Sequence, residues 1–384
     1  MKYNENFNKL EENYVFNDLK LQILNRKNTE VELIDLGIGD VKLPIFPIIA
    51  NAMKKAVEEM TDKKTFLGYP PAQGYPFLRE KIAKNYFLEG AEISSDEIFI
   101  SDGAKGQLGS VLELFGKGAK VLFLTPCYPA GAEANILYGN EVTYLTGNQE
   151  NRFIPSPPID KSYDVIYICS PNNPTGSAFT HKDLKSWVNY ALFTGAVIVY
   201  DGAYSSFLPD NYPKTIYSVD GAKGCAIEIR SFSKSLGFTG IRCGFTVIPN
   251  QLGEYNKLWK RRLGCRFNGV SYVTQRGAEA IFCKEGKEEV KKRINFYKSN
   301  VEILKIALKN KNLWYNNTVS SPYVFAKAPC GKTSREFCKE LLEKLCIVAT
   351  SGSGFLVGGE GYFRLSAFET RKKILEASDR ILTL

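Results

Sequence analysis

Residues 165–176 read VIYICSPNNPTG: five apolar residues followed by a polar run that contains two prolines and a glycine. The first five are apolar throughout instead of alternating with polar residues, as in a strand covered on both faces. The remainder has the composition of a turn. The same unit, an apolar run closed by polar or turn-forming residues, recurs at 97–101 (EIFIS), 121–125 (VLFLT), 197–201 (VIVYD), 226–229 (AIEI) and 243–248 (CGFTVI). The intervals leave room for crossover helices, so the spacing predicts an α/β fold with a mostly parallel central sheet.

Around this core, Ile49, Ala52, Met53, Ala56, Val57 and Met60 fall on one face of a helix. After about residue 285 the pattern changes to charged amphipathic helices, such as 288–308, with shorter strands near 323–326 and 362–365. The organisation expected is a large α/β domain over 46–284. A smaller α+β domain is expected from 285–384 together with residues 1–45, whose start forms an N-terminal arm.

The chain has 384 residues, 44% of them hydrophobic and 24% charged, with a net charge of +9. No apolar run approaches the ~18 to 20 residues of a membrane span, and the first residues, MKYNEN, lack the apolar stretch of a signal peptide. The cytoplasm is the expected location and no membrane partner is expected. Nine scattered cysteines without a Cys-x-x-Cys pair, beside a single histidine at 181, speak for reduced thiols and against a zinc site. The densest basic run, 257–266 (KLWKRRLGCR), carries no nucleic-acid motif and reads as a solvated helix face, while the positive charge also suits small anionic substrates.

In open α/β sheets ligands gather at the carboxyl ends of the strands. The residues there are Gly103, Ala104 and Lys105 opening a helix; Tyr128 among prolines; Asn173; Asp201 and Tyr204; then Ser231, Ser233 and Lys234, with Arg242 eight positions on. Singly, each has a plain structural explanation: a glycine turn, a helix cap, a solvated lysine. Together they supply a phosphate nest, a flat ring, an amide, a carboxylate, a phenol and an amine. Pyridoxal 5'-phosphate asks for that inventory.

At this point the chain resembles the fold-type I aminotransferases, whose lysine signature is similar to Ser231-Phe232-Ser233-Lys234 with Arg242. More narrowly it resembles the LL-diaminopimelate aminotransferase family over nearly its whole length. The matching stretches are 13–16 (NYVF), 36–40 (LGIGD), 101–105 (SDGAK), 169–176 (CSPNNPTG), 238–242 (FTGIR), 267–269 (FNG) and 364–368 (RLSAF). The resemblance implies that Lys234 condenses with the cofactor aldehyde and later shuttles the Cα proton, and that Asp201 pairs with the ring nitrogen. Asn173 and Tyr204 are implied to bond the phenolic oxygen, and Tyr128 to stack on the ring. The phosphate would be held by Ala104, Lys105, Ser231, Ser233 and Arg242, with Tyr69 reaching it from a second subunit, so that a homodimer shares its sites. Arg364 would clamp the substrate α-carboxylate beside Asn173 and the Gly39 backbone, with Tyr14, Lys105 and Asn268 completing the substrate pocket. The substrates implied are an L-amino acid, LL-diaminopimelate by resemblance, and 2-oxoglutarate in a ping-pong exchange.

The family's acidic residue in the segment after the inter-subunit tyrosine is replaced here by Ala72, in 68–74 (GYPPAQG). Removing the charge partner of a buried ammonium costs ~3 to 5 kcal/mol. Gly131 stands where the family has an aromatic, and Ser351 where it has a proline. The alternatives are therefore a relative with a changed amino-acid substrate or reaction, such as a lyase, racemase or oxidase. An effector-binding module of a transcription factor is also conceivable, but 1–45 shows no helix-turn-helix pattern.

Overall fold

The structure is a computed structural model, and it describes residues 2–10, 15–25, 30–318 and 321–384. From the N-terminus come α1 (Val15–Leu24), β1 (Ile34–Asp35), α2 (Pro47–Glu59) and α3 (Pro76–Leu88), the last two each opened by a proline whose fixed φ suits a first helical turn. The central part runs β2 (Ile98–Ser101), α4 (Ala104–Ser110), β3 (Lys120–Thr125), α5 (Ala130–Tyr138), β4 (Glu141–Thr146), β5 (Val165–Cys169), α6 (His181–Thr194), β6 (Val197–Asp201), β7 (Ala226–Ser231) and β8 (Gly244–Val247). Then follow α7 (Tyr255–Arg266), α8 (Tyr272–Glu279), α9 (Lys284–Asn310), β9 (Tyr323–Lys327), α10 (Ser334–Leu345), β10 (Ile347–Val348), β11 (Thr350–Ser351), β12 (Tyr362–Ser366) and α11 (Arg371–Ile381).

Seven strands form the main sheet in the order β2-β8-β7-β6-β5-β3-β4. It is parallel from β7 to β4, while β8 runs antiparallel to both its neighbours. The apolar runs are continuous because each strand feeds two cores. Ile166, Ile168, Ile198 and Tyr200 point to the face covered by α3 and α6, where Tyr86 and Trp187 are buried. Val165, Tyr167, Val197 and Val199 point to the face covered by α4, α5 and α7, with Trp259. The strand-end loops that follow β2, β3, β5, β6 and β7 consequently open on one edge of the sheet.

A second core forms where β9, β11 and β12 make an antiparallel sheet in the order β11-β12-β9. Val324, Ala326, Phe363 and Leu365 pack there against Leu304 and Leu308 of α9, Phe337 and Leu341 of α10, and Ile374 of α11. β1 pairs in parallel with β10, Ile34 opposite Ile347, which ties the N-terminal segment to this second core. That segment then runs through Gly37 and Gly39 to the edge of the main sheet.

Candidate active site

Each strand end is held by its own local bonds. After β5, Asn172 donates through Nδ2 to the Pro126 carbonyl and to Thr175 Oγ1, both at 2.9 Å. Asn316 donates to the Thr175 carbonyl at 2.8 Å. The loop so fixed presents Asn173, whose Oδ1 accepts from Arg364 Nη1 at 2.6 Å. Arg364 projects from β12, is 1% exposed, and also donates to the Gly37 carbonyl and to Thr350 Oγ1 at 3.3 Å. Thr350 in turn donates to the Gly37 carbonyl at 2.6 Å, so the position before the altered Ser351 still braces the guanidinium.

At the end of β6, Asp201 is buried and accepts from the Ala203 N–H at 3.0 Å and from the Cys169 thiol. Burial raises its carboxyl to about 6 against the pull of those two donors. Tyr204 follows, buried, its hydroxyl 2.8 Å from that of Tyr323 at the start of β9.

At the end of β7, the Ser231 and Ser233 hydroxyls lie 3.0 Å apart, and Arg242 Nη1 donates to Ser233 Oγ and to the Thr239 carbonyl, both at 3.2 Å. The guanidinium lies against Gly103, whose φ of +115° and lack of a side chain are both required, since a Cβ would fall 2.3 Å from Nη2. Gly103 precedes α4, so Arg242, two hydroxyls and the first residues of a helix converge on one corner. Lys234 donates through Nζ to the Gly39 carbonyl. Burial first, and then the Arg364 guanidinium, bring its amine down to about 8.

These groups line one cleft of about 700 Å³. Gly39, Ala104, Lys105, Tyr128, Asn173, Asp201, Tyr204, Ser231, Ser233, Lys234, Arg242 and Arg364 all border it. The cationic side chains along it, Lys20, Lys105, Lys234, Arg242 and Arg364, outnumber the acids Asp40 and Asp201, a balance that suits anionic ligands. The donor set fits pyridoxal phosphate: hydroxyls and a guanidinium at one corner for the phosphate, a carboxyl raised by burial for the ring nitrogen, and an amine brought down to about 8 for the aldehyde.

Two expected residues stand elsewhere. Tyr69 is 88% exposed and Asn268 is exposed, and neither borders the cleft of its own chain. They belong to one surface, because a Cβ on Gly269 would strike the Pro71 carbonyl at 2.5 Å. The 68–74 loop is pinned to β2 by Gln73, which donates to the Asp96 and Ile98 carbonyls at 2.8 and 3.1 Å. Tyr14 lies outside the described residues. Gly131, which stands where the family has an aromatic, lines a small cavity beside the cleft with Leu108, Tyr128 and Asp201, and a Cβ there would press on Phe123 at 3.1 Å.

Tyr323, Asp40 and Thr239 also border the cleft without having been singled out in the sequence. Asp40 lies in the matched stretch 36–40 and could have been found there. Tyr323 carries no local signature, since its partner Tyr204 is 119 residues away.

A family model for aminotransferase class I and II matches residues 31–381. The LL-diaminopimelate aminotransferase of Prochlorococcus marinus subsp. pastoris is 42% identical across 100% of both chains. That of Parabacteroides distasonis is 44% identical, with 98% of each chain covered. The solved structure of L,L-diaminopimelate aminotransferase from Chlamydomonas reinhardtii superposes with a TM-score of 0.93 at 37% identity, covering 99% of this chain and 98% of that one. Aspartate aminotransferase from Thermus thermophilus with maleate, at 19% identity and a TM-score of 0.88 over 100% and 99% of the two chains, shares the fold. The chain thus belongs to the class I and II aminotransferases, within them to the LL-diaminopimelate aminotransferase family, and is a pyridoxal-phosphate-dependent enzyme that transfers an amino group between an amino acid and a 2-oxo acid.

Proposed function

We propose that the amino donor is LL-diaminopimelate, that the acceptor is 2-oxoglutarate, and that both half-reactions run in the cleft around Lys234. Likeness to LL-diaminopimelate aminotransferases over the whole chain supports the substrates, and the meeting of Lys234, Asp201 and Arg364 in one cleft carries the amino transfer itself. Pyridoxal phosphate, when bound, supplies a protonated ring that accepts the electron pair left at Cα. Lys234 offers an amine that is neutral above about pH 8, first to hold the cofactor and then, once released by the substrate, to carry the Cα proton. Asp201 holds the ring nitrogen's proton, since a cation beside it relieves the burial that now keeps its carboxyl at about 6. Tyr204 and Asn173 bind the phenolic oxygen and Tyr128 flanks the ring. Ser231, Ser233, Arg242, Lys105 and the Ala104 amide take the phosphate.

Arg364 receives the α-carboxylate as a two-pronged donor beside Asn173 and the Gly39 backbone, and Lys105 faces the distal carboxylate. Residues 46–284 form the domain that holds the cofactor, and 1–45 with 285–384 the domain that brings Arg364. The enzyme works as a homodimer in which Tyr69 and Asn268 reach the cleft of the partner subunit. Their exposure on a common surface supports this. Nine free thiols support a reducing cytoplasmic setting.

Ala72 favours a second reading, in which another amine replaces LL-diaminopimelate. The segment is held against β2 but offers no carboxylate, and the distal ammonium loses its partner. A panel of amino donors against 2-oxoglutarate separates the two. Turnover with LL-diaminopimelate, abolished in Lys234→Ala, supports the first. Turnover confined to another amine, with Ala72→Glu raising the rate on LL-diaminopimelate by at least about tenfold, supports the second. No amino transfer with any donor overturns both.

A further inference from the structure

Tyr323 has no place in the roles assigned above, yet it touches three of the residues that do. It opens β9, is 2% exposed, and its N–H is fixed by a bond to Ser321 Oγ at 3.1 Å. Its hydroxyl meets that of Tyr204 at 2.8 Å. The Arg364 guanidinium stands 4.3 Å from the centre of its ring. Its hydroxyl occupies the space a side chain on Gly39 would need, a Cβ there falling 2.2 Å away. Phe368 packs edge-on to the ring at 5.9 Å, and the Lys234 Nζ in turn lies 5.4 Å from the Phe368 ring.

Sheet register explains how the ring comes to lie under the guanidinium. Tyr323 pairs with Ser366 on β12, and Arg364 lies two residues from Ser366 on the same face, a diagonal neighbour within reach of an aromatic side chain. A cation over the ring draws electron density from it and makes its O–H the better donor of the two phenols. Either hydroxyl of the 2.8 Å pair can donate; with Tyr323 as the donor to the Tyr204 oxygen, the Tyr204 O–H is left for the cleft.

We propose that Tyr323 is a positioning residue that sets the Tyr204 hydroxyl and the Arg364 guanidinium together, so that the group facing the cofactor's phenolic oxygen and the group facing the substrate carboxylate are coupled through one ring. The inference rests on the assignments of Tyr204 and Arg364 made under the proposed function. It adds a second link, beside the bond from Arg364 to Asn173, between the carboxylate clamp and the cofactor's acidity. It also gives Gly39 a reason to be glycine, since the Tyr323 hydroxyl stands where a Cβ would be.

The test uses holoenzyme carrying Tyr323→Phe, Tyr323→Leu or, as reference, Tyr204→Phe. Two quantities are read: the midpoint of the pH titration of the bound cofactor's absorbance band, and KM for 2-oxoglutarate. Tyr323→Phe keeps the ring and loses only the hydroxyl. It should move the midpoint upward, in the same direction as Tyr204→Phe and by less, about half a pH unit, while KM changes by less than about twofold. Tyr323→Leu also removes the face under Arg364 and should raise KM about tenfold. A midpoint that moves in Tyr204→Phe but not in Tyr323→Phe overturns the coupling, as does an unchanged KM in Tyr323→Leu. A midpoint unmoved in Tyr204→Phe itself removes the assignment of Tyr204, and the coupling with it. Tyr323→Phe preserves the packing of β9, so the spectroscopic arm stands even if Tyr323→Leu fails to fold.

Discussion

Burial acts in opposite directions on the two groups proposed to meet the cofactor's aldehyde and its ring nitrogen. It lowers the amine of Lys234 to about 8, helped by Arg364, and raises the carboxyl of Asp201 to about 6. An amine adds to an aldehyde only when unprotonated. Below about pH 8 a growing share of Lys234 carries its proton, so cofactor uptake by the apoenzyme should quicken as pH rises toward that value and level off above it. Stopped-flow absorbance across neutral to mildly alkaline pH measures this. A rate that keeps rising to the ordinary range of lysine would mean that the cleft does not depress the amine. Lys234 was recognisable in the sequence because Ser231, Ser233 and Arg242 lie within a dozen residues of it. Tyr323 was not, because nothing near it in the chain differs from an ordinary buried strand.

Elements differ in how plainly they announce themselves. The runs at 165–169 and 197–201 coincide with β5 and β6, and 121–125 falls short of β3 by a single residue. These strands are buried on both faces, so their composition changes sharply at each end. β4 went unread: it lies at the sheet edge, its interior residues are only half-buried, and EVTYLT mixes polar with apolar positions. The orientation of β8 was equally hidden, since a strand buried between β2 and β7 is apolar whichever way it runs. The basic run 257–266 proved to lie within α7, with Trp259 and Leu263 packed inward and Arg262 paired to Glu113 at 3.0 Å.

The turn into α4 places two demands on one residue. Its Gly103 combines a positive φ with contact against Arg242, so Gly103→Ala strains the backbone and pushes the guanidinium from its place at the same time. Cofactor affinity should fall by at least about tenfold while Lys234, unchanged, still forms its bond to the cofactor. Equilibrium dialysis of the variant measures the loss, and an unchanged affinity would mean that this corner does not hold the phosphate.

At the scale of the molecule, the main sheet supplies the proposed cofactor ligands at its strand ends and the second core supplies Arg364. The cleft lies where they meet. The first set was legible because it follows the rhythm of strand and turn. Its meeting with Arg364 depends on β12 pairing with β9 and on Gly37 and Gly39 threading between the sheets, where their carbonyls meet Arg364 and Lys234 from 327 and 195 positions away.

The surface holding Tyr69 and Asn268 has a genetic consequence. If a chain lends those residues to its neighbour, a lesion at Tyr69 and a lesion at Lys234 damage different sites of a pair. A Lys234→Ala chain and a Tyr69→Ala chain, each inactive by itself, would when unfolded and reassociated together yield mixed pairs with one doubly damaged site and one wholly intact. Random reassortment makes half of the pairs mixed and restores about a quarter of the wild-type rate, a complementation between alleles that a self-sufficient chain could not display.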